Sequence, residues 1–158
     1  MSVITTARER LAILQRTQTV AVVGMSANPA RASHFVATYL NGATDWTIWY
    51  VNPGETEILG QKVYPSLTDL PAPPDIVDTF RRADDLPAVA EEAIACGAGT
   101  LWFQLGLRHD AAAERAAAAG LDVVQDRCLK IEHARFAGGL HLAGFDTGVI
   151  DARRERLV

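Results

Sequence analysis

Short apolar runs alternate along this chain with segments whose apolar residues recur at helical spacing. Thr19-Val20-Ala21-Val22-Val23 is a compact β-branched run, of the kind that forms a strand buried on both faces. Thr47–Val51, Asp75–Phe80, Thr100–Gln104 and Leu121–Gln125 repeat the theme. Between them, Ser33–Asn41, Leu86–Ala95 and Ala111–Ala119 read as helices, with Gly42, Gly97 and Gly120 as stops. Thr5–Arg16 reads as an amphipathic lead-in helix, Ser66–Leu70 as a short helical turn, and Arg127–Arg135 as a last short helix. Strands and helices taking turns in this way predict an α/β fold with a parallel sheet and right-handed crossovers.

The chain has 158 residues, 49% hydrophobic and 22% charged, which suits one folded domain with a sizeable core. A single domain over 1–158 is expected, with its core at about 17–136 and an extension at 137–158 that carries Gly138, Gly139, Gly144 and Gly148. That extension either frays or covers a subunit surface, as in a homodimer. The net charge of −4 and the lack of a basic stripe argue against nucleic acid as a partner. No apolar run approaches a membrane span and no signal-peptide core opens the chain. A cytoplasmic, membrane-free protein is expected. Cys96 and Cys128 make neither a zinc framework nor a disulfide scaffold. The four histidines show no metal spacing.

In a doubly wound sheet, ligands bind outside the carboxyl ends of the strands. The first such end is Gly24-Met25-Ser26-Ala27-Asn28-Pro29, leading to Arg31 and Ser33. A strand, a glycine turn and a helix start together form an anion-binding corner. Gly24 lets a phosphate approach the backbone, Ser26 and Ser33 offer hydroxyls, and Arg31 offers charge. The plainer alternative makes Ser33 an N-cap and Pro29 a loop former. The later strand ends add Val51, Asn52 and Pro53, then Phe80, Arg81 and Arg82, then Gln104, Leu105 and Gly106, and last Asp126, Arg127 and Cys128. Arg81 and Arg82 either meet a phosphate or pair locally with Asp84 and Asp85. Cys128 either packs or meets a ligand thiol.

The corner departs from the dinucleotide fingerprint. Ser26 and Pro29 stand where the second and third glycines belong, and Asn52 stands where an acid would hold the ribose of NAD. An NAD(P)-binding redox enzyme or sensor is therefore the weaker alternative. The chain order Ser26, Asp126, His133 fits a hydrolase, but the nucleophile elbow lacks its closing glycine.

Several ordered motifs together resemble a known family. They are Gly24-x-Ser26-x-x-Pro29, Val51-Asn52-Pro53, Gly60-x-x-Val63-Tyr64-Pro65-Ser66-Leu67, Phe80-Arg81-Arg82, Trp102-x-Gln104-x-Gly106 and Asp126-Arg127-Cys128-Leu129-Lys130-x-Glu132-His133. From Thr17 to Phe136 the chain is similar to the small stand-alone CoA-binding proteins of bacteria and archaea, and through them to the CoA-binding domain of succinyl-CoA synthetase α-subunits. The resemblance implies a Rossmann-like, three-layer αβα fold with a doubly wound parallel sheet of five strands in the order 3-2-1-4-5. It implies coenzyme A or an acyl-CoA as ligand, with the pyrophosphate at Gly24, Met25 and Ser26 near Arg31 and Ser33. Val51, Asn52 and Pro53 would line the adenosine side, Phe80 and Arg81 the nucleotide or pantetheine, and Gln104 to Gly106 the far wall. The second ligase domain with its phosphorylated histidine has no counterpart in this sequence, so binding without catalysis is the expectation.

Overall fold

In the computed structural model, which describes residues 2–137, the sheet grows outward from a central pair of strands. β1 (Thr19–Val23) lies parallel to β2 (Thr47–Val51) on one side and to β5 (Ile76–Thr79) on the other. β5 runs parallel to β6 (Thr100–Phe103), and β6 to β7 (Asp122–Val124). Beyond β2, β4 (Gln61–Tyr64) adds in parallel and β3 (Glu57–Ile58) pairs with it antiparallel. Among the described residues the sheet therefore has seven strands in the order β3-β4-β2-β1-β5-β6-β7.

This corrects the expected five-stranded sheet in two ways. First, the segment Gln61–Tyr64, expected to be part of a long connection, is a strand, joined to β2 through the Asn52 N–H bond to the Tyr64 carbonyl at 3.0 Å. Gly60 and Pro65 crowd it from both sides, so its pattern is too short to stand out. Second, the strand Ile76–Thr79 does not lie at the edge beside β2, as the order 3-2-1-4-5 requires, but beside β1. Asp75 fixes that position. Its carboxylate accepts the N–H groups of Gln18 and Thr19 at 2.8 and 3.1 Å, and its own N–H donates to Thr19 Oγ1 at 2.9 Å. With β4 counted, the parallel strands run β4-β2-β1-β5-β6-β7, and the chain reverses its direction of travel between β1 and β5. That reversal is the place where open α/β sheets leave a crevice.

Helices cover both faces. α1 (Ala7–Arg16), α2 (Ala32–Ala43) and α5 (Leu129–Ala137) pack on one, where Ile13, Val36, Leu40, Leu129 and Phe136 meet Val20, Val22, Tyr50 and Trp102. α3 (Leu86–Cys96) and α4 (Asp110–Ala118) pack on the other, where Leu86, Val89, Ala113 and Ala116 meet Ala21, Val77, Leu101 and Phe103. Local chemistry sets several helix ends. Thr6 caps α1 by accepting the Glu9 N–H at 3.2 Å, and its hydroxyl donates to the Glu9 carboxylate at 2.8 Å. Gly97 ends α3 in the left-handed region at φ +78°. Gly42, expected to stop α2, lies inside the helix, whose end comes at Thr44. No helix among the described residues is long and apolar enough to cross a membrane. The glycine-rich extension lies outside the described residues.

Candidate functional site

Gly24 leaves β1 where the chain must turn under the ends of two neighbouring strands. Its N–H donates to the Val51 carbonyl at 2.9 Å, and the Phe80 N–H donates to the Val23 carbonyl at 2.8 Å. Gly24 has φ +82°, and a Cβ placed on it would lie 2.1 Å from the Phe80 carbonyl oxygen. Only glycine makes this turn at this spacing.

The loop that follows is held by its own polar groups. Ser33 Oγ accepts the Ser26 N–H at 3.0 Å, Ser26 Oγ accepts the Asn28 N–H at 3.1 Å, and Asn28 Oδ1 accepts the Ala30 N–H at 3.0 Å. Ser33 is thus a buried loop staple and not the N-cap; the N-cap is Arg31, whose side chain makes no capping hydrogen bond. The first turn of α2 also carries no acidic residue. The positive end of the helix is left for something else to neutralise.

That helix end opens into a cleft of about 650 Å³. Gly24, Ser26, Arg31 and Ser33 line it, with Phe80 and Arg81 from the end of β5 and Gln104 from the end of β6. The sequence-expected residues Val51 and Pro53 lie instead in a neighbouring cleft of about 270 Å³ with Pro65 and Ser66, and Arg81 borders both clefts. Met25, Asn52 and Gly106 line neither. Met25 is fully buried. Asn52 staples two strand-end loops, since its Nδ2 donates to the Met25 carbonyl at 2.8 Å and its Oδ1 accepts the Gly54 N–H at 2.8 Å. Gly106, at φ +88°, donates its N–H to Asp126 Oδ1 at 2.7 Å and turns the chain after β6.

Other lining residues were not singled out from sequence. Phe35 and Val36 follow Arg31 one turn along α2, and Leu107 and Ile131 add apolar surface. Lys130 adds a third cation to the lining with Arg31 and Arg81, and among the described residues no Asp or Glu lines the cleft. In a protein of net charge −4, this is a local reversal of sign. Arg81 is shared with Asp85 at a loose 3.8 Å, with the two side chains 37% and 41% exposed, a contact of little strength. Among the described residues, Arg31 has no ion pair. The remaining spacing hints resolve structurally. His133 does not face Ser26 but packs between Tyr39 and Trp46, with Nδ1 at 2.9 Å from Tyr39 Oη, and burial lowers its pKa. Ser26, Asp126 and His133 therefore form no catalytic constellation. No group of three metal-ligating side chains occurs among the described residues.

Set against known proteins, residues 18–134 match the family described as "CoA binding domain". The uncharacterized protein YneT of Bacillus subtilis (strain 168) is 42% identical over 122 residues, covering 77% of this chain and 90% of that protein. A hypothetical protein from Pyrococcus horikoshii OT3 superposes with a TM-score of 0.79 at 35% identity, covering 87% of this chain and 98% of the other. A dinucleotide-forming acetyl-coenzyme A synthetase 1 of Ca. Korarchaeum cryptofilum superposes with a TM-score of 0.65 at 21% identity. That match covers 72% of this chain and 26% of the synthetase, and it speaks to the fold alone.

Proposed function

The chain belongs to the CoA binding domain family, and from that premise we propose that it binds coenzyme A or an acyl-CoA in the cleft between the ends of β1 and β5. One observation carries the proposal. Among the described residues the cleft is lined by Arg31, Arg81 and Lys130 and by no acid, and it begins at a helix N-terminus whose N-cap side chain makes no capping hydrogen bond. An anion placed there gains the helix dipole and the guanidinium groups together.

The residues fit each part of such a ligand. The pyrophosphate is assigned to the Gly24 turn, where the missing Cβ gives close access to backbone. Ser26 Oγ, Arg31 and Arg81 are its remaining partners. The adenosine is assigned to the smaller cleft, against Val51, Pro53 and Pro65, across the Arg81 border. The pantetheine arm then runs along the larger cleft toward Gln104. When bound, coenzyme A supplies a thiol or thioester as a carrier group. The protein's part in this proposal is to bind and orient, with no reaction assigned. The narrower likeness to succinyl-CoA synthetase α-subunits belongs to the same proposal.

Native mass spectrometry of the protein mixed with equal CoA and NAD tests it. A one-to-one CoA complex that excess NAD does not displace is expected. A nicotinamide complex in its place would reassign the cleft.

A further inference from the structure

The cleft has one thiol in its wall. Cys128 is half-buried and lies immediately before α5, its carbonyl accepting the Glu132 N–H at 3.0 Å. Beside it, Gln104 is only 6% exposed and also lines the cleft. Gln104 Oε1 accepts the Leu129 N–H at 3.0 Å. Its Nε2 donor is left with no partner among the described residues. At the cleft wall this N–H can donate to an acceptor that enters. Around this pair the wall is apolar. Phe35 and Leu105 are 59% and 48% exposed, two of the three large hydrophobic residues so exposed among those described, and Leu107 and Ile131 join them.

An amide donor, an apolar trough and a thiol match an arm that carries amide carbonyls on a flexible apolar chain and ends in sulfur. The other cysteine lies in a different cleft, with Leu70, Pro71 and Pro73. Cys96 sits at the end of α3, its Sγ donates to the Ala93 carbonyl at 3.4 Å, and burial raises its pKa.

We propose that Cys128 captures coenzyme A covalently, as a mixed disulfide formed by exchange with a CoA-containing disulfide. The inference rests on the CoA assignment of the cleft. The Cys128 thiolate attacks one sulfur of the incoming disulfide. A bond from Cys128 Sγ to the sulfur of the seated CoA forms, and the original disulfide bond breaks. The second half leaves as a thiolate and takes up the proton that Cys128 gave up, so no further oxidant is needed. A small free thiol reverses the step. Gln104 Nε2 holds the arm so that its sulfur meets Sγ. Retention of the ligand then follows the thiol–disulfide balance around the protein.

The test treats the reduced full chain with CoA disulfide and, separately, with glutathione disulfide. Adducts are followed by intact mass and located by peptide mapping, while CoA binding to the reduced protein is measured calorimetrically in parallel. One CoA is expected on Cys128 and none on Cys96. Modification by CoA disulfide is expected about tenfold faster than by glutathione disulfide, because prior seating raises the local concentration. CoA lacking its sulfur should protect Cys128, Cys96→Ser should leave the adduct in place, and Gln104→Glu, which keeps an acceptor for Leu129 but loses the donor, should slow its formation. If CoA binds but Cys128 reacts no faster than with glutathione disulfide, or not at all, the covalent step is wrong and the CoA assignment stands. If CoA produces no binding heat, both fall together.

Discussion

Gly24 and Phe80 touch so closely that a methyl group at position 24 would stand 2.1 Å from the Phe80 carbonyl oxygen. The contact ties the end of β1 to the end of β5 at the place where the sheet reverses its direction of growth. The cleft exists because these two strand ends meet there while their loops diverge.

Gly24→Ala therefore combines a clash with backbone and a positive φ of +82°. The Phe80 carbonyl belongs to a backbone whose N–H is already bonded to the Val23 carbonyl at 2.8 Å, so relieving the clash strains that contact. The variant should lose more than about 2 kcal/mol of stability, read as a lower midpoint in denaturant unfolding. A loss within about 0.5 kcal/mol, the range of ordinary surface changes, would mean that the strand ends part easily.

Arg81 borders both clefts and is only loosely held by Asp85 at 3.8 Å. Arg81→Ala should weaken CoA binding by roughly 1.5–3 kcal/mol, the range for hydrogen bonds to charged groups, with little change in unfolding midpoint. An unchanged dissociation constant in equilibrium titration would return Arg81 to a solvent role.

Asp78 is fully buried in β5, in register between Val22 and Trp102, with neither carboxylate oxygen hydrogen-bonded among the described residues. Burial pushes its pKa well above 3.8. The unfolded chain gives up this proton near 3.8, while the folded chain keeps it to higher pH. The unfolded state thus binds fewer protons in that window, and stability falls as pH rises through it. Asp78→Asn removes the effect. Its stability relative to the parent should climb with pH, by up to about 1.4 kcal/mol per unit, in urea unfolding from mildly acidic to mildly alkaline buffer. A difference independent of pH would show that Asp78 ionises in the fold.

Arg10 and Glu132 join α1 to α5 by a contact of 3.2 Å, with side chains 3% and 1% exposed. Arg127 stands 3.7 Å away on the other side of the carboxylate. Removing Arg10 leaves the buried Glu132 with only the longer contact to Arg127, so Arg10→Met alone should cost up to about 3–5 kcal/mol. Arg10→Met with Glu132→Leu should cost clearly less than the two single changes added. Additive losses in a double-mutant cycle would mean that the pair is not coupled.

Much of the sheet was legible because its inner strands are unbroken apolar runs. Thr19–Val23 and Thr47–Val51 coincide with β1 and β2. The edge was not, since Gln61–Tyr64 offers little apolar pattern between Gly60 and Pro65. The place of β5 was also hidden, because it depends on Asp75 reaching Gln18 and Thr19, residues more than fifty positions away. In the cleft, polar and glycine signals marked Gly24, Ser26, Arg31 and Arg81. Phe35, Leu107 and Ile131 left no such mark, since an apolar residue that lines a cleft looks in sequence like one that fills a core. Asn52 and Ser33 are polar residues that also hold the loops through hydrogen bonds, a role that no short pattern in the sequence marks.

Calorimetric titration of CoA into the protein and its Ser26→Asp variant probes the anion corner itself. A carboxylate at position 26 can still accept the Asn28 N–H, so the loop should survive while its charge occupies the place given to the pyrophosphate. Saturable heat with one CoA per chain is expected for the parent, and its loss is expected in Ser26→Asp at an unchanged melting temperature. No saturation of the parent at millimolar CoA, or equal affinity in the variant, would contradict the assignment of the Gly24 corner to a pyrophosphate.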